Sequence, residues 1–254
     1  MIDTHCHLSD SKYDGELNEI VDNFLSAGLD FVVTIGYDKI NNQRSKEIAN
    51  KYDQVYYTIG IHPDDCDEYD EAEIESYLMV NDPKLVAVGE IGLDYYHSKD
   101  NKEKQKQVFI SQILLAKKYN LPIVIHCRDA YGDMLEILKE YAPFESGAVM
   151  HCYSGSLEFA REIIKLDIKI SFTGSVTFKN AHNLHEVAKN IPLDSFFFET
   201  DSPYMTPEPF RGRRNEPKLV YLVAERVASL RDIDSQELIR LTDENARKFY
   251  KINQ

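Results

Sequence analysis

Residues 121–130 have the sequence LPIVIHCRDA, in which an apolar, β-branched run ends at His126 and is followed by Arg128 and Asp129. A continuous apolar run of this length is typical of a parallel strand that is covered on both faces. Comparable runs occur along the whole chain, at residues 1–7, 30–36, 55–61, 85–91, 121–127, 147–152, 168–174 and 195–200. Eight such runs, spaced by about thirty residues, favour a closed barrel over an open sheet.

The segments between these runs have the periodicity of amphipathic helices. The clearest is NKEKQKQVFISQILLAKKYN (101–120), where the apolar stripe consists of Val108, Phe109, Ile113 and Ala116. An open doubly wound sheet usually has a glycine-rich phosphate turn after its first strand, but HCHLSD (5–10) occupies that place here. We therefore predict an α/β fold, a (β/α)8 TIM-type barrel that spans residues 1–254 as a single domain.

Composition limits the classes of partner. The net charge of −14 argues against a broad basic surface for duplex nucleic acid, although a local site that holds metal cations can still bind phosphate. No stretch approaches the ~20 apolar residues that span a bilayer, and the Met-Ile-Asp start has no signal-peptide features. We expect a cytoplasmic protein with no membrane association and no obligate protein partner. The four cysteines are too few for a disulfide framework, and we expect them to be buried behind the site.

Polar residues collect where the predicted strands end. His5 and His7 lie on one face of the first strand if it is extended. Later strand ends supply His62, Glu90, His126, His151 and the pair Glu199 and Asp201. Each residue alone could cap or shape a turn, but the carboxyl ends of barrel strands converge at one mouth, and buried polar groups are costly unless they are paired or bind metal. We predict one metal centre with six ligands: His5, His7, Glu90, His126, His151 and Asp201.

Six protein ligands exceed what one ion needs, so the set suits two divalent cations that share a bridging group. A carboxylate can bridge two ions and a neutral imidazole cannot, which makes Glu90, on a central strand, the expected bridge. Imidazole-rich sites favour Zn²⁺, Mn²⁺ or Ni²⁺, while Mg²⁺ prefers oxygen ligands but is possible.

The combined motifs are more specific than the composition. DTHCHL (3–8) resembles the H-x-H signature of the amidohydrolase superfamily. The chain as a whole resembles the TatD family of metal-dependent deoxyribonucleases through GIHP (60–63), GEIGLDYY (89–96), PIVIHCRDA (122–130), HCYSG (151–155) and ETDSPYMTPEPFRGRRNEP (199–217).

This resemblance implies a barrel with two metal positions that hydrolyses the phosphodiester bonds of DNA. It implies that one metal is held by His5, His7 and Asp201, that the other is held by His126 and His151, and that Glu90 lies between them. We expect catalysis through a metal-activated water that Asp201 orients and deprotonates.

Two groups of candidate substrate-binding residues remain open. His62 either reaches a substrate phosphate or caps the turn before Pro63. The basic cluster Arg211, Arg213 and Arg214 either guides a phosphate backbone or pairs with one of three acidic residues: Glu199, Glu208 or Glu216.

Two other functions were considered. The same metals could cut a cyclic amide or an aminoacyl ester, but relatives that cut cyclic amides often bridge their metals with a lysine, and GEIG (89–92) has Glu90 instead. A non-catalytic binding protein is disfavoured by the six intact ligand candidates. DNA cleavage, directed at single strands or ends, is the function we predict.

Overall fold

In the computed structural model, which describes residues 1–252, eight parallel strands lie in chain order around one sheet. They are β1 (Ile2–Cys6), β2 (Phe31–Thr34), β3 (Val55–Ile59), β4 (Leu85–Asp94), β5 (Ile123–Arg128), β6 (Ala148–Met150), β7 (Ile168–Phe172) and β8 (Phe196–Phe198). This arrangement confirms the predicted (β/α)8 barrel.

The last strand returns to the first and closes the barrel. Beyond the end of β8, the Asp201 N–H donates to the His5 carbonyl at 2.9 Å, and the His7 N–H donates to the Ser202 carbonyl at 2.7 Å. Cys6 and Ser202 form a parallel bridge between them. The closure therefore places Asp201 beside His5 and His7, although these candidate ligands are far apart in the sequence.

Helices cover the outside of the barrel. They are α1 (Leu17–Asp22), α2 (Lys39–Lys51), α3 (Glu71–Leu78), α4 (Lys102–Lys118), α5 (Tyr131–Tyr141), α6 (Leu157–Ile164), α7 (His182–Asn190), α8 (Val220–Arg231) and α9 (Ser235–Tyr250). The predicted stripe on α4 is buried along its length, as expected for a helix that packs on the sheet. Within residues 1–252, no helix has both the length and the apolar character needed to cross a bilayer.

The fourth strand differs from the prediction. The apolar run suggested an end near residue 91, but β4 continues to Asp94 and is buried throughout. Gly92 makes this continuation possible, because it has φ +150° and a Cβ there would lie 2.0 Å from the His126 carbonyl oxygen. Its lack of a side chain lets β4 and β5 approach closely, with Gly92 beside His126 and Asp94 beside Arg128 in the register.

Candidate metal centre

The six predicted ligands meet at the carboxyl ends of the strands, around a cavity of about 680 Å³. They come from five strands or the residues just after them: His5, His7, Glu90, His126, His151 and Asp201. All six side chains are buried or nearly so, from none of the His5 side chain exposed to 19 % of the His126 side chain. The barrel thus brings together groups that lie up to about two hundred residues apart in the chain.

One cluster of ligand atoms forms where β1 meets β8. The Nε2 atoms of His5 and His7 lie 3.3 Å apart. Asp201 Oδ1 is 3.6 Å from His5 Nε2 and 3.2 Å from His7 Nε2. Glu90 Oε2 completes the cluster, 3.5 Å from His5 Nε2 and 3.9 Å from His7 Nε2.

A second cluster surrounds the other oxygen of Glu90. Oε1 lies 2.9 Å from His126 Nδ1 and 2.6 Å from His151 Nε2, and these two nitrogens are 3.3 Å apart. Each carboxylate oxygen of Glu90 therefore faces its own group of imidazole nitrogens. A carboxylate that bridges two cations requires this disposition.

The donor set fits divalent cations. The Nδ1 atoms of His5, His7 and His151 are buried and have no hydrogen-bond partner within residues 1–252, although Glu199 lies 3.6 Å from that of His151. The opposite nitrogens, Nε2, converge on each other and on carboxylate oxygens. A cation satisfies several converging lone pairs at once, whereas one shared proton satisfies only two of them.

The charges of the cluster are mutually dependent. Burial alone would raise the pKa of Glu90, but the charge of His151 and hydrogen bonds with His126, His151 and His5 hold that pKa well below its usual value. Burial is likewise outweighed at Asp201, whose pKa is lowered by the hydrogen bond from His7 and the nearby imidazoles. Both carboxylates are therefore ionised at neutral pH and available as metal ligands.

Asp94 is a functional candidate that the sequence analysis missed. Its side chain is buried, and Oδ2 accepts from His126 Nε2 at 3.0 Å and from His97 Nδ1 at 2.9 Å. The proton on Nε2 leaves His126 Nδ1 free to face Glu90, so Asp94 fixes the tautomer and the ring orientation. Residues 90, 92 and 94 share one face of a strand that continues past residue 91, so the spacing of Glu90 and Asp94 could have identified Asp94.

Glu199 supports the second cluster from below. Its Oε1 accepts from the Cys152 N–H at 2.7 Å and lies 3.6 Å from His151 Nδ1. The suggestion that Glu199 pairs with the arginine cluster is wrong, because the residue is buried beside His151 on the cavity side of the barrel.

His62 makes the capping contact that was one of the two interpretations, and its ring also faces the cavity. Its Nδ1 accepts from the Asp64 N–H at 3.2 Å and caps the short 3-10 helix Pro63–Glu68. Its Nε2 points into the cavity, 3.8 Å from Glu90 Oε1. Burial and the charge of His126 lower the pKa of His62 to about 3. The ring is therefore neutral, with its proton on Nε2.

The basic cluster does not line the cavity. Arg214 is held by Glu16 at 2.6 Å and by Glu216 at 3.6 Å. The guanidinium of Arg211 lies 4.2 Å from the centre of the Phe178 ring, and that of Arg213 lies 5.7 Å from the Phe210 ring. Arg211 and Arg213 are exposed on the loop after β8.

The cysteines are free thiols, but not all lie behind the site. Cys6 and Cys66 are buried as expected. Cys127, within β5, and Cys152, just after β6, are half-buried and line the cavity, which corrects the expectation that they lie behind the site. Cys152 has a left-handed backbone, with φ +43°.

Comparison with known proteins agrees with this geometry. Residues 2–251 match the TatD related DNase family. The uncharacterized metal-dependent hydrolase YabD of Bacillus subtilis is 43% identical over 254 residues, with all of both chains covered. The 3'-5' ssDNA/RNA exonuclease TatD of Klebsiella pneumoniae is 31% identical over 259 residues, covering 100% of this chain and 98% of the relative.

The fold comparison gives the same result. The crystal structure of YJJV, a TatD homolog from Escherichia coli, superposes with a TM-score of 0.95 at 28% identity, covering 100% of this chain and 98% of that chain. Both comparisons extend over the full barrel and confirm the resemblance inferred from the motifs. The chain belongs to the TatD related DNase family of metal-dependent hydrolases.

Proposed function

We propose that the protein is a metal-dependent nuclease that hydrolyses the phosphodiester bonds of single-stranded DNA, working from strand ends. The observation that carries the proposal is the placement of Glu90, whose two oxygens each face a separate cluster of imidazoles. Such paired clusters suit a reaction in which the attacking and the leaving oxygen of one phosphate are both stabilised. The relative from Klebsiella pneumoniae is named as a 3'-5' ssDNA/RNA exonuclease, which supports the choice of substrate.

In this proposal each cluster holds one divalent cation. His5, His7, Asp201 and Glu90 Oε2 would hold the first, and His126, His151 and Glu90 Oε1 would hold the second. When bound, the cations would supply positive charge to a phosphate and lower the pKa of a coordinated water toward ~7. The four imidazoles favour Zn²⁺, Mn²⁺ or Ni²⁺ over Mg²⁺.

The charge balance of the site supports a need for cations. Glu90 and Asp201 contribute two negative charges at the cavity floor, and the wall adds Asp64, Asp65 and Asp94. Without cations, this cavity would repel a phosphodiester. With cations bound, the net charge at the cavity floor would become positive, and the floor would attract phosphate.

Asp201 is the proposed general base. Its lowered pKa keeps the carboxylate ionised, and its Oδ1 lies at the edge of the cavity next to His7. From there it can orient a water molecule toward the phosphorus and accept the proton that the water loses. Asp94 acts one step further away, as a positioning residue for His126.

His62 is the proposed donor to a substrate phosphate oxygen. Because the Asp64 N–H occupies Nδ1, the neutral ring presents Nε2–H to the cavity. Arg211 and Arg213 would guide the incoming backbone from the loop beyond β8. A narrow cavity in an acidic protein suits a strand end better than a duplex held along its length.

The proposal is tested with purified protein that is stripped by a chelator and then reloaded with Zn²⁺, Mn²⁺, Ni²⁺ or Mg²⁺. The substrates are single-stranded DNA with a free 3' end, the same strand with a blocked 3' end, and blunt duplex DNA. We expect metal-dependent cleavage of the free single strand and little cleavage of the other two. Metal-loaded protein that cleaves none of the three would overturn the proposal.

A further inference from the structure

We propose that Arg128 and Tyr96 form a subsite for the nucleotide next to the scissile phosphate, with the guanidinium on that nucleotide's phosphate and the ring against its base. This inference rests on the proposed nuclease function and goes beyond the metal centre. It assigns Arg128 on the cavity wall, and Tyr96 beside it, to a substrate group that the metal ligands do not touch.

The charge of Arg128 is uncompensated. Of the lysines and arginines in residues 1–252, it is the one that lines the cavity, whose lining also includes acidic residues. Its side chain is exposed, and no carboxylate within the described chain lies at ion-pair distance from it. Arg214, by contrast, is neutralised by Glu16 at 2.6 Å. A free guanidinium at this position is available to an anion of the substrate.

A second observation is the aromatic ring beside it. The Arg128 guanidinium carbon lies 5.0 Å from the centre of the Tyr96 ring, and Tyr96 is 53% exposed. The guanidinium and the His97 ring, whose centre lies 4.8 Å from that of Tyr96, both contact the ring, and about half of Tyr96 stays exposed. An aromatic ring next to a guanidinium is the combination that binds single-stranded nucleic acid, through base stacking and phosphate contacts.

The pair is held rigidly on the strands that carry the second cluster. Arg128 is the register partner of Asp94 at the end of β5, and the Tyr95 N–H donates to the Arg128 carbonyl at 2.9 Å. The Tyr96 N–H donates to Asp94 Oδ1 at 2.9 Å, and the other oxygen of Asp94 holds His126. These contacts fix the backbone at Arg128 and Tyr96 relative to the ligand clusters, while both side chains stay exposed to an incoming strand.

The opposite wall has a matching arrangement. In the strand order, the β4–β5 pair lies across the barrel from the β8–β1 pair. On that side Tyr204 is 45% exposed, lines the cavity, and has the Lys12 ammonium 3.9 Å from its ring centre. A phosphate bound between the clusters would have one neighbouring nucleotide toward each wall. Tyr204 donates to Asp10 at 2.6 Å, so an acidic side chain is bonded to that ring, whereas the Arg128 guanidinium has no ion-pair partner within residues 1–252.

The first test measures binding. Metal-loaded protein is titrated into a fluorescently labelled single-stranded phosphorothioate hexanucleotide that resists cleavage, and anisotropy gives Kd. We expect Arg128→Ala to weaken binding at least about tenfold, with Arg128→Lys intermediate because it keeps the charge but loses the planar fork. Tyr96→Ala should weaken binding to a similar degree, while Tyr96→Phe retains it. The matched control is Arg161→Ala, which replaces an exposed arginine on α6 that does not line the cavity.

The salt dependence gives an independent readout. Loss of one phosphate contact should make the slope of log K against log salt shallower by about 0.7 in Arg128→Ala, and by nothing in Arg161→Ala. If wild-type protein binds and cleaves DNA but Arg128→Ala leaves Kd and the salt slope unchanged, the subsite is overturned and the nuclease function is not.

The second test separates the flanking phosphate from the scissile one. The dinucleoside monophosphate dTpdT has only the scissile phosphate, whereas dTpdTpdT has one more. We expect Arg128→Ala to reduce the preference in kcat/KM for the longer substrate. Equal losses on both substrates would place Arg128 on the scissile phosphate and contradict the proposal. A wild-type protein that neither binds nor cleaves either substrate would refute the nuclease function and the subsite with it.

Discussion

Asp94 holds His126 from the side opposite Glu90. Asp94 Oδ2 accepts from His126 Nε2 at 3.0 Å, and Glu90 Oε1 lies 2.9 Å from His126 Nδ1. Both carboxylates are on β4, four residues apart, so one strand contacts both nitrogen atoms of the imidazole. The second cluster therefore depends on a residue that is not itself one of the proposed ligands.

Asp94→Asn tests this dependence. The amide keeps the shape of the side chain but removes the charge that favours the proton on His126 Nε2, so His126 Nδ1 becomes a poorer ligand. We expect the affinity for metal at the second cluster, which contains His126, to fall about 10–100-fold, measured by calorimetric titration of chelator-stripped protein. The control is Asp167→Asn, whose carboxylate is exposed on a loop. Identical isotherms for Asp94→Asn and the wild type would contradict a positioning role.

Asp201→Asn tests the general base. The amide cannot accept the proton from water, so kcat on single-stranded DNA should fall about 10²–10⁴-fold, the range typical of general base catalysis. The cluster of Glu90, His126 and His151 is left intact, so its metal content, measured by mass spectrometry of the native protein, should be retained. Full turnover in the variant would rule out the role assigned to Asp201.

Gly92→Ala tests the close approach of β4 and β5. A Cβ at this position would lie 2.0 Å from the His126 carbonyl oxygen, on a backbone with φ +150°. We expect the free energy of unfolding in urea to fall by more than about 2 kcal/mol, together with weaker metal binding. Gly132→Ala is the matched control, because Gly132 lies on α5 with no heavy atom within 4 Å of an added Cβ. It should be neutral or stabilise by up to about 1 kcal/mol.

The eight strands and the six ligand candidates could be predicted from the sequence, because a buried strand requires an apolar run and the first polar residues after it mark the mouth. Asp94 could not be predicted in the same way. Its assignment depended on where β4 ends, and the apolar run stops before the strand does. The partners of Arg214 and Glu199 come from segments far away in the sequence, and the spacing of apolar residues along the chain carries no information about such contacts.

The pH dependence of metal binding follows from the protons that the imidazoles hold without metal. Burial opposes protonation of His151, but the charges of Glu90 and Glu199 raise its pKa well above the usual value, and hydrogen bonds to Asp94 and Glu90 raise that of His126. Because the pKa of His151 is well above its usual value, its ring is protonated at neutral pH and must lose a proton when metal binds. Affinity should therefore fall as the pH is lowered from about 8 to 6.

Calorimetry in two buffers of different ionisation enthalpy measures this release directly. We expect net proton release at pH 7 when metal binds to stripped protein, and a smaller release at pH 8. Metal binding without any proton release at pH 7 would contradict the protonation state assigned to His151.

The arginine loop is tested by comparing its members. Arg211 and Arg213 are exposed, and within residues 1–252 their guanidinium groups lie near aromatic rings and form no ion pair, whereas Arg214 is paired with Glu16 and Glu216. The double variant Arg211→Ala, Arg213→Ala should weaken binding of single-stranded DNA and make its salt dependence shallower by up to about 1.4 in slope, 0.7 for each contact. Arg214→Ala should change the slope less. The reverse order would show that Arg214 is the member that meets DNA.

The most direct test counts divalent cations on the intact chain. Native mass spectrometry of metal-saturated wild-type protein should give two ions per chain, and Glu90→Gln, folded as judged by circular dichroism, should lose at least one of them together with nuclease activity. A wild-type chain that saturates with a single ion, and keeps it when Glu90 is replaced, would contradict the paired clusters on which the account rests.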